Sequence, residues 1–149
     1  MHKTKVIKVL KTFRKVELNR FDKYIRSPYY NVHNPTLLLW EAIHKTYPDF
    51  DEKRLDKEKL FQKVFPGEKF NDAKLSVVRN NLLNLLFGFF SRTRIEQKEH
   101  LLHRELLLEL SQRKLDDFLP RLIKEGRSKL EERPDLGYEK FLMEDFVAE

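Results

Sequence analysis

The chain has 149 residues, the size of one domain, with 30 Lys/Arg against 24 Asp/Glu and a net charge of +6. Apolar residues make up 40% and charged residues 36%, with a mean hydropathy of −0.64, which excludes a membrane-embedded protein; 12 Phe, 5 Tyr and the single Trp argue against disorder. Cysteine is absent, so disulfides, zinc–thiolate sites and cysteine nucleophiles are excluded.

The first residues are basic, but the apolar Val6, Ile7, Val9 and Leu10 are broken by Lys8 and Lys11. That pattern is too short and too charged for a signal-peptide core. The longest apolar run falls within residues 82–90, well short of the roughly 20 residues that span a bilayer. A cytoplasmic protein without a membrane span is therefore expected.

Helical spacing governs nearly the whole chain. Val6, Leu10 and Phe13 follow i, i+4, i+7. Leu18, Phe21 and Ile25 repeat it after a kink near Arg14 and Lys15. Ser27-Pro28 ends that helix, because the residue before proline is pushed out of the α region. Asn34-Pro35 reads as an N-cap followed by proline at the first helical position. Leu37, Trp40, Ile43 and Tyr47 form the next stripe, and Pro48 stops it. Residues 49–54 read as a charged connector.

Asp56 is placed to cap a helix that turns Leu60, Phe61, Val64 and Phe65 inward. Pro66-Gly67 signals a turn and Asn71 a second cap. The helix after Asn71 is apolar around most of its circumference, as a central buried helix would be. Thr93 and Glu96 have capping-box spacing, which predicts a new helix there. Its stripe is Leu101, Leu102, Leu106 and Leu108. Another helix begins near Asp116 or Asp117, with Pro120 in its first turn and Phe118, Leu122, Ile123 and Leu130 inward. Pro134 breaks it. Tyr138, Phe141, Leu142 and Phe146 start a last helix that stops without a cap, so a fragment of a longer protein is expected. No stretch alternates with period two for long enough to make a strand.

The expected fold is all-α, a multi-helix bundle of seven or eight helices in one domain. Residues 1–92 would form the bundle and residues 93–149 a helical hairpin extension. Two hairpins do not establish a period, so a solenoid-like stack in the C-terminal half remains one arrangement among others.

Charge is unevenly spread. Residues 1–26 hold nine Lys/Arg and two acids, whereas residues 131–149 hold two and seven. Lys5, Lys8, Lys11 and Lys15 lie on a stripe opposite Val6, Leu10 and Phe13, and Lys23 and Arg26 continue it. Clustered Lys and Arg suit a nucleic-acid backbone, whose counterions they release. A basic amphipathic helix also suits an anionic membrane surface. The plain alternative is a solvated face, since the sequence lacks interleaved surface aromatics and any nucleic-acid motif. The acidic end could also pair with the basic one.

Glu96, Glu99, His100 and His103 cluster on one stretch, but their spacing matches neither zinc-protease nor di-iron patterns, and ion pairing on a helix face explains it. His33 and His44 lie near no nucleophile pattern, and no serine sits in an elbow motif. Gly88 and Gly126 fall inside helical patterns. No catalytic residue, metal ligand or cofactor site is expected. Tyr29 and Tyr30, after Pro28, form the most distinctive loop, as a partner-binding epitope or as rings that cap the core.

Three stretches stand out together: Phe21-Asp22-Lys23-Tyr24-Ile25-Arg26-Ser27-Pro28-Tyr29-Tyr30-Asn31, Tyr47-Pro48-Asp49-Phe50, and Leu60-Phe61-Gln62-Lys63-Val64-Phe65-Pro66-Gly67-Glu68-Lys69-Phe70-Asn71-Asp72-Ala73-Lys74-Leu75. Across roughly the first 90 residues the chain resembles an uncharacterised family of longer, helical bacterial proteins found mainly in Bacteroidetes. The resemblance implies an all-helical protein and supports the fragment expectation. It brings no activity, so no functional residue is carried over. The leading expectation is a non-enzymatic helical module that binds protein; the other is a nucleic-acid binder using the basic stripe.

Overall fold

The computed structural model describes residues 4–132. These form seven α-helices: α1 (Lys5–Leu10), α2 (Lys15–Arg26), α3 (Asn34–His44), α4 (Lys57–Val64), α5 (Asp72–Glu96), α6 (Glu99–Gln112) and α7 (Leu119–Glu131), with a 3₁₀ turn at Asp116–Phe118. The protein is an all-α, multi-helix fold. Pro134 and the helix expected from Tyr138 to Phe146 lie outside the described residues. The chain divides into two compact units, Met1–Phe90 and Ser91–Glu149.

The first unit is built on the helical spacings. Val6, Leu10 and Phe13, then Leu18, Phe21 and Ile25, are all buried. The kink is a full break. The Thr12 hydroxyl donates back to the Val9 carbonyl at 2.7 Å, a local bond that competes with helix continuation. Phe13 closes onto the Leu10 carbonyl and drops its ring into the core, edge-on to Phe21. Ser27 leaves the helix in an extended conformation, as its proline requires.

α3 departs from expectation in three details. His33, not Asn34, is the last residue before the helix. The helix stops at His44, ahead of Tyr47. Its buried face is Thr36, Leu39, Trp40, Ala42 and Ile43, while Leu37 is half-buried. Three consecutive leucines at 37–39 leave the phase open, and of the three Leu39 is the fully buried one. The charged connector hides one core residue, Phe50, and a second, Leu55, follows the connector directly. Phe50 takes a left-handed backbone (φ 49°), unusual for a bulky side chain, and burial of its ring beside Tyr47 holds it there.

α4 and α5 start as expected. The Asp56 carboxylate accepts from the Lys59 amide at 3.2 Å, and the Asn71 side chain accepts from the Lys74 amide at 3.1 Å. Between them Gly67 turns with φ 78°, a conformation that favours glycine. α5 is not buried on all sides. Leu75, Val78, Leu82, Leu86 and Phe89 form its one buried stripe, while Val77, Phe87 and Phe90 are exposed. Thr93 starts no helix either. It lies within α5, and its carbonyl accepts from the amide of Gln97, the residue after the helix's last, at 3.3 Å. Extending an existing helix adds one bond per residue fixed, whereas a new start must be nucleated, so a capping-box spacing alone does not interrupt it.

In the second unit α6 and α7 pack as a helical hairpin joined through the 3₁₀ turn. Pro120 sits in the first turn of α7, where its missing amide breaks no bond. The core differs from the expected stripe. Leu107 and Leu130 are buried, with Leu119, Leu122 and Ile123 partly buried against them. Leu102, Leu106 and Phe118 are exposed. Among the described residues no helix is long and apolar enough to cross a membrane.

Candidate functional site

On the solvent side of α1 and α2, Lys5, Lys8, Lys11, Lys15, Arg20 and Lys23 are all exposed. The acids on this segment are Glu17 and Asp22. Glu17 is held by Arg14 at 2.7 Å and Asp22 by Arg26 at 3.1 Å. Among the described residues, none of the six exposed cations has an ion-pair partner.

Arg26 belongs elsewhere, contrary to its place in the expected stripe. Its Nε donates to both Asp22 oxygens and its Nη1 to Glu41 Oε1 at 3.0 Å, tying α2 to α3. The indole Nε1 of Trp40 donates to Asp22 Oδ1 at 2.8 Å. The His44 ring stacks on Trp40 with centroids 4.9 Å apart, its Nδ1 3.8 Å from the same oxygen. Burial pushes the Asp22 carboxyl up, but the bonds from Arg26 and Trp40 outweigh it and hold the carboxyl below its ordinary value. Bonds to Asp22 and Glu41 raise the Arg26 guanidinium above its own. Arg26 is thus a structural clasp.

The two tyrosines part company. Tyr30 is half-buried and stacks on Tyr24 at 4.3 Å with rings 18° apart. Tyr29 is 86% exposed and meets Tyr30 edge-on at 5.1 Å. The loop beneath them is held. The Tyr30 and Asn31 amides donate to the Ser27 carbonyl, and the Asn31 side chain donates to the Ile25 carbonyl at 3.1 Å. Tyr24 in turn packs on Phe21 and Phe89. Tyr30 therefore caps the core, and Tyr29 stands exposed on top of it.

The Glu96–His103 cluster is split. Glu96 ends α5 and His100 lies in α6, so they do not share one helix face. His103 Nε2 lies 2.6 Å from the Leu122 carbonyl, bonding α6 to α7. Among the described residues no three His, Asp or Glu side chains converge on a metal position.

An open groove of ≈ 650 Å³ lies along the start of α4, where Lys53, Arg54, Lys59 and Lys63 face Asp56 and Glu58. Asp56 is already committed to its cap.

The feature that sequence reasoning missed is the outer face of the hairpin. Leu102 and Leu106 are exposed one helical turn apart, and Leu115 and Phe118 are exposed in the connection. The signal was obscured because Leu101-Leu102 and Leu106-Leu107-Leu108 place leucine at every phase, leaving no unique stripe.

No protein-family model matches this sequence, and neither a curated protein nor a solved structure matches it.

Proposed function

We propose that the protein is a non-enzymatic helical interaction module whose α6–α7 hairpin binds a protein partner. One observation carries this reading. Among the described residues of the hairpin, Leu107 and Leu130 are the buried hydrophobics, while Leu102, Leu106, Leu115 and Phe118 remain in water. A helical hairpin that buries so little of its apolar surface gains stability by laying that surface against another apolar face. A helix partner would meet Leu102 and Leu106 as neighbouring anchors.

A cytoplasmic setting belongs to the same proposal, since a cysteine-free chain needs no oxidising compartment. So does membership of the bacterial family that Phe65-Pro66-Gly67 and Phe70-Asn71-Asp72 resemble.

The test is partner capture from source cells with wild type and with Leu106→Glu, followed by reconstitution of any captured protein from purified components. The variant should keep its helical circular dichroism and weaken the reconstituted complex at least about tenfold, the loss of one well-buried anchor. Equal affinity of the two proteins for every captured partner overturns the reading.

A further inference from the structure

We propose that the solvent face of α1 and α2, continued by Tyr29, is a binding surface for single-stranded nucleic acid. The first support is unneutralised charge. Both carboxylates of the segment are taken by Arg14 and Arg26, which leaves Lys5, Lys8, Lys11, Lys15, Arg20 and Lys23 exposed and, among the described residues, without an ion-pair partner. Like charges three or four residues apart on a helix repel one another. A strand of phosphates relieves that repulsion and gains the entropy of released counterions.

The second support concerns the membrane alternative. A basic amphipathic helix lies on lipid by burying its apolar face among the acyl chains. Here that face is occupied. Val6, Ile7 and Leu10 of α1, and Leu18, Phe21 and Ile25 of α2, are buried in the protein's own core. The surface has charge to offer, and Val16 is the one large hydrophobic that the two helices leave exposed.

The third support is the aromatic that the sequence lacked as a visible surface feature. Tyr29 follows α2 after Ser27 and Pro28 and exposes its ring almost completely. It rests against Tyr30, which stacks on Tyr24, which packs on Phe21. The rings beneath it are stacked onto the core, and Tyr29 meets the uppermost of them edge-on, so its own face stays open for a base to land on. Stacking on an exposed ring is the means by which proteins hold unpaired bases without reading their sequence. The bases of a duplex already stack on each other, so the combination selects a single strand.

The experiment is fluorescence anisotropy of labelled oligothymidylate and of a duplex of equal length, at 50 and 200 mM salt, with the full chain. Wild type should bind the single strand saturably and more tightly than the duplex. Affinity should fall about 100-fold between the two salts if roughly five phosphates are neutralised. Tyr29→Ala should weaken binding about tenfold while Tyr29→Phe retains it. Lys8→Glu with Lys23→Glu should abolish binding at the higher salt. Both lysines are exposed, and the milder Lys8→Gln with Lys23→Gln, which should lower affinity in the same direction, serves if the reversed pair does not fold. Leu106→Glu should leave binding unchanged, which separates this surface from the hairpin reading. No binding at 50 mM salt, tighter binding of the duplex, indifference to Tyr29→Ala, or binding of vesicles rich in anionic lipid but not of oligothymidylate each overturns the proposal.

Discussion

The two units use similar residues to opposite ends. In Met1–Phe90 the described apolar side chains converge, and twenty-one buried residues from five helices and the connectors form one core. In the described part of Ser91–Glu149 the leucines diverge, and two are buried. Leucine content does not make this difference. In the first unit, helical spacing is interrupted by Ser27-Pro28, Pro48 and Pro66-Gly67, which fold the chain back so that successive stripes meet. In α6 leucine occupies every phase, so one side is covered by α7 and the other is left to solvent. A core requires turns that aim apolar faces at each other, and richness in apolar residues is not a substitute.

The comparison can be broken at the level of stability. Phe21 touches Phe13, Tyr24, Trp40 and Phe89, so Phe21→Ala should cost about 3–5 kcal/mol and show as a large fall in the denaturation midpoint of the first unit. Leu107→Ala should cost about 2–3 kcal/mol, near the lower end for a leucine, because few neighbours surround it. Its effect should be local. Native-state hydrogen exchange should find α6 and α7 amides opening at much lower free energy than those of α2 and α3. Equal protection of both units would mean that the hairpin is stabilised by more than the Leu107–Leu130 cluster.

The clasp between α2 and α3 gives the next largest effect. Asp22→Asn keeps the shape but removes the charge that Arg26 and Trp40 address, and should cost about 1–2 kcal/mol at neutral pH, reduced by partial exposure of the pair. Its pH dependence has a definite sign. The folded-state value of Asp22 lies below the ordinary carboxylate value, about 3.9 in an unfolded chain. The stabilisation is therefore complete above about pH 4 and is lost as pH falls from there through the folded value. Wild type and Asp22→Asn should converge in stability below that range, as denaturant titrations at a series of pH values would show. Trp40→Phe tests the indole bond alone and should cost about 1 kcal/mol.

Much of the first unit was legible from residues 4–90 alone. Its stripes at Val6-Leu10-Phe13 and Leu18-Phe21-Ile25 have single apolar residues spaced by polar ones, so only one phase fits. The caps at Asp56 and Asn71 were legible because each side chain precedes an apolar stripe by a fixed offset. Phe50 and Leu55 were hidden because charged neighbours surround them and their burial depends on a turn, not on a period. The basic stripe was visible as composition, but its membership was not. Arg26 is set apart from Lys23 by Asp22, one turn back on the same helix, and by Glu41 on α3; the first is a local i, i+4 spacing, the second a pairing that no local pattern encodes. Tyr29 and Tyr30 are adjacent and chemically identical, and only the ring of Tyr24 decides which is covered.

Helix starts offer the finest comparison, since the two units carry similar signals with different outcomes. Asp56→Ala and Asn71→Ala each remove an acceptor for a free amide in the first turn and should cost about 1 kcal/mol. Thr93→Ala should behave differently. Thr93 lies within α5, its carbonyl already engaged by Gln97, and alanine is the better helix former at such a position. The substitution should be neutral or stabilising by up to about 0.5 kcal/mol, read from the same denaturation curves. A loss comparable to Asn71→Ala would mean that Thr93 caps a helix after all. The chain would then break there, at the junction of the two units, and α5 would end earlier than Glu96.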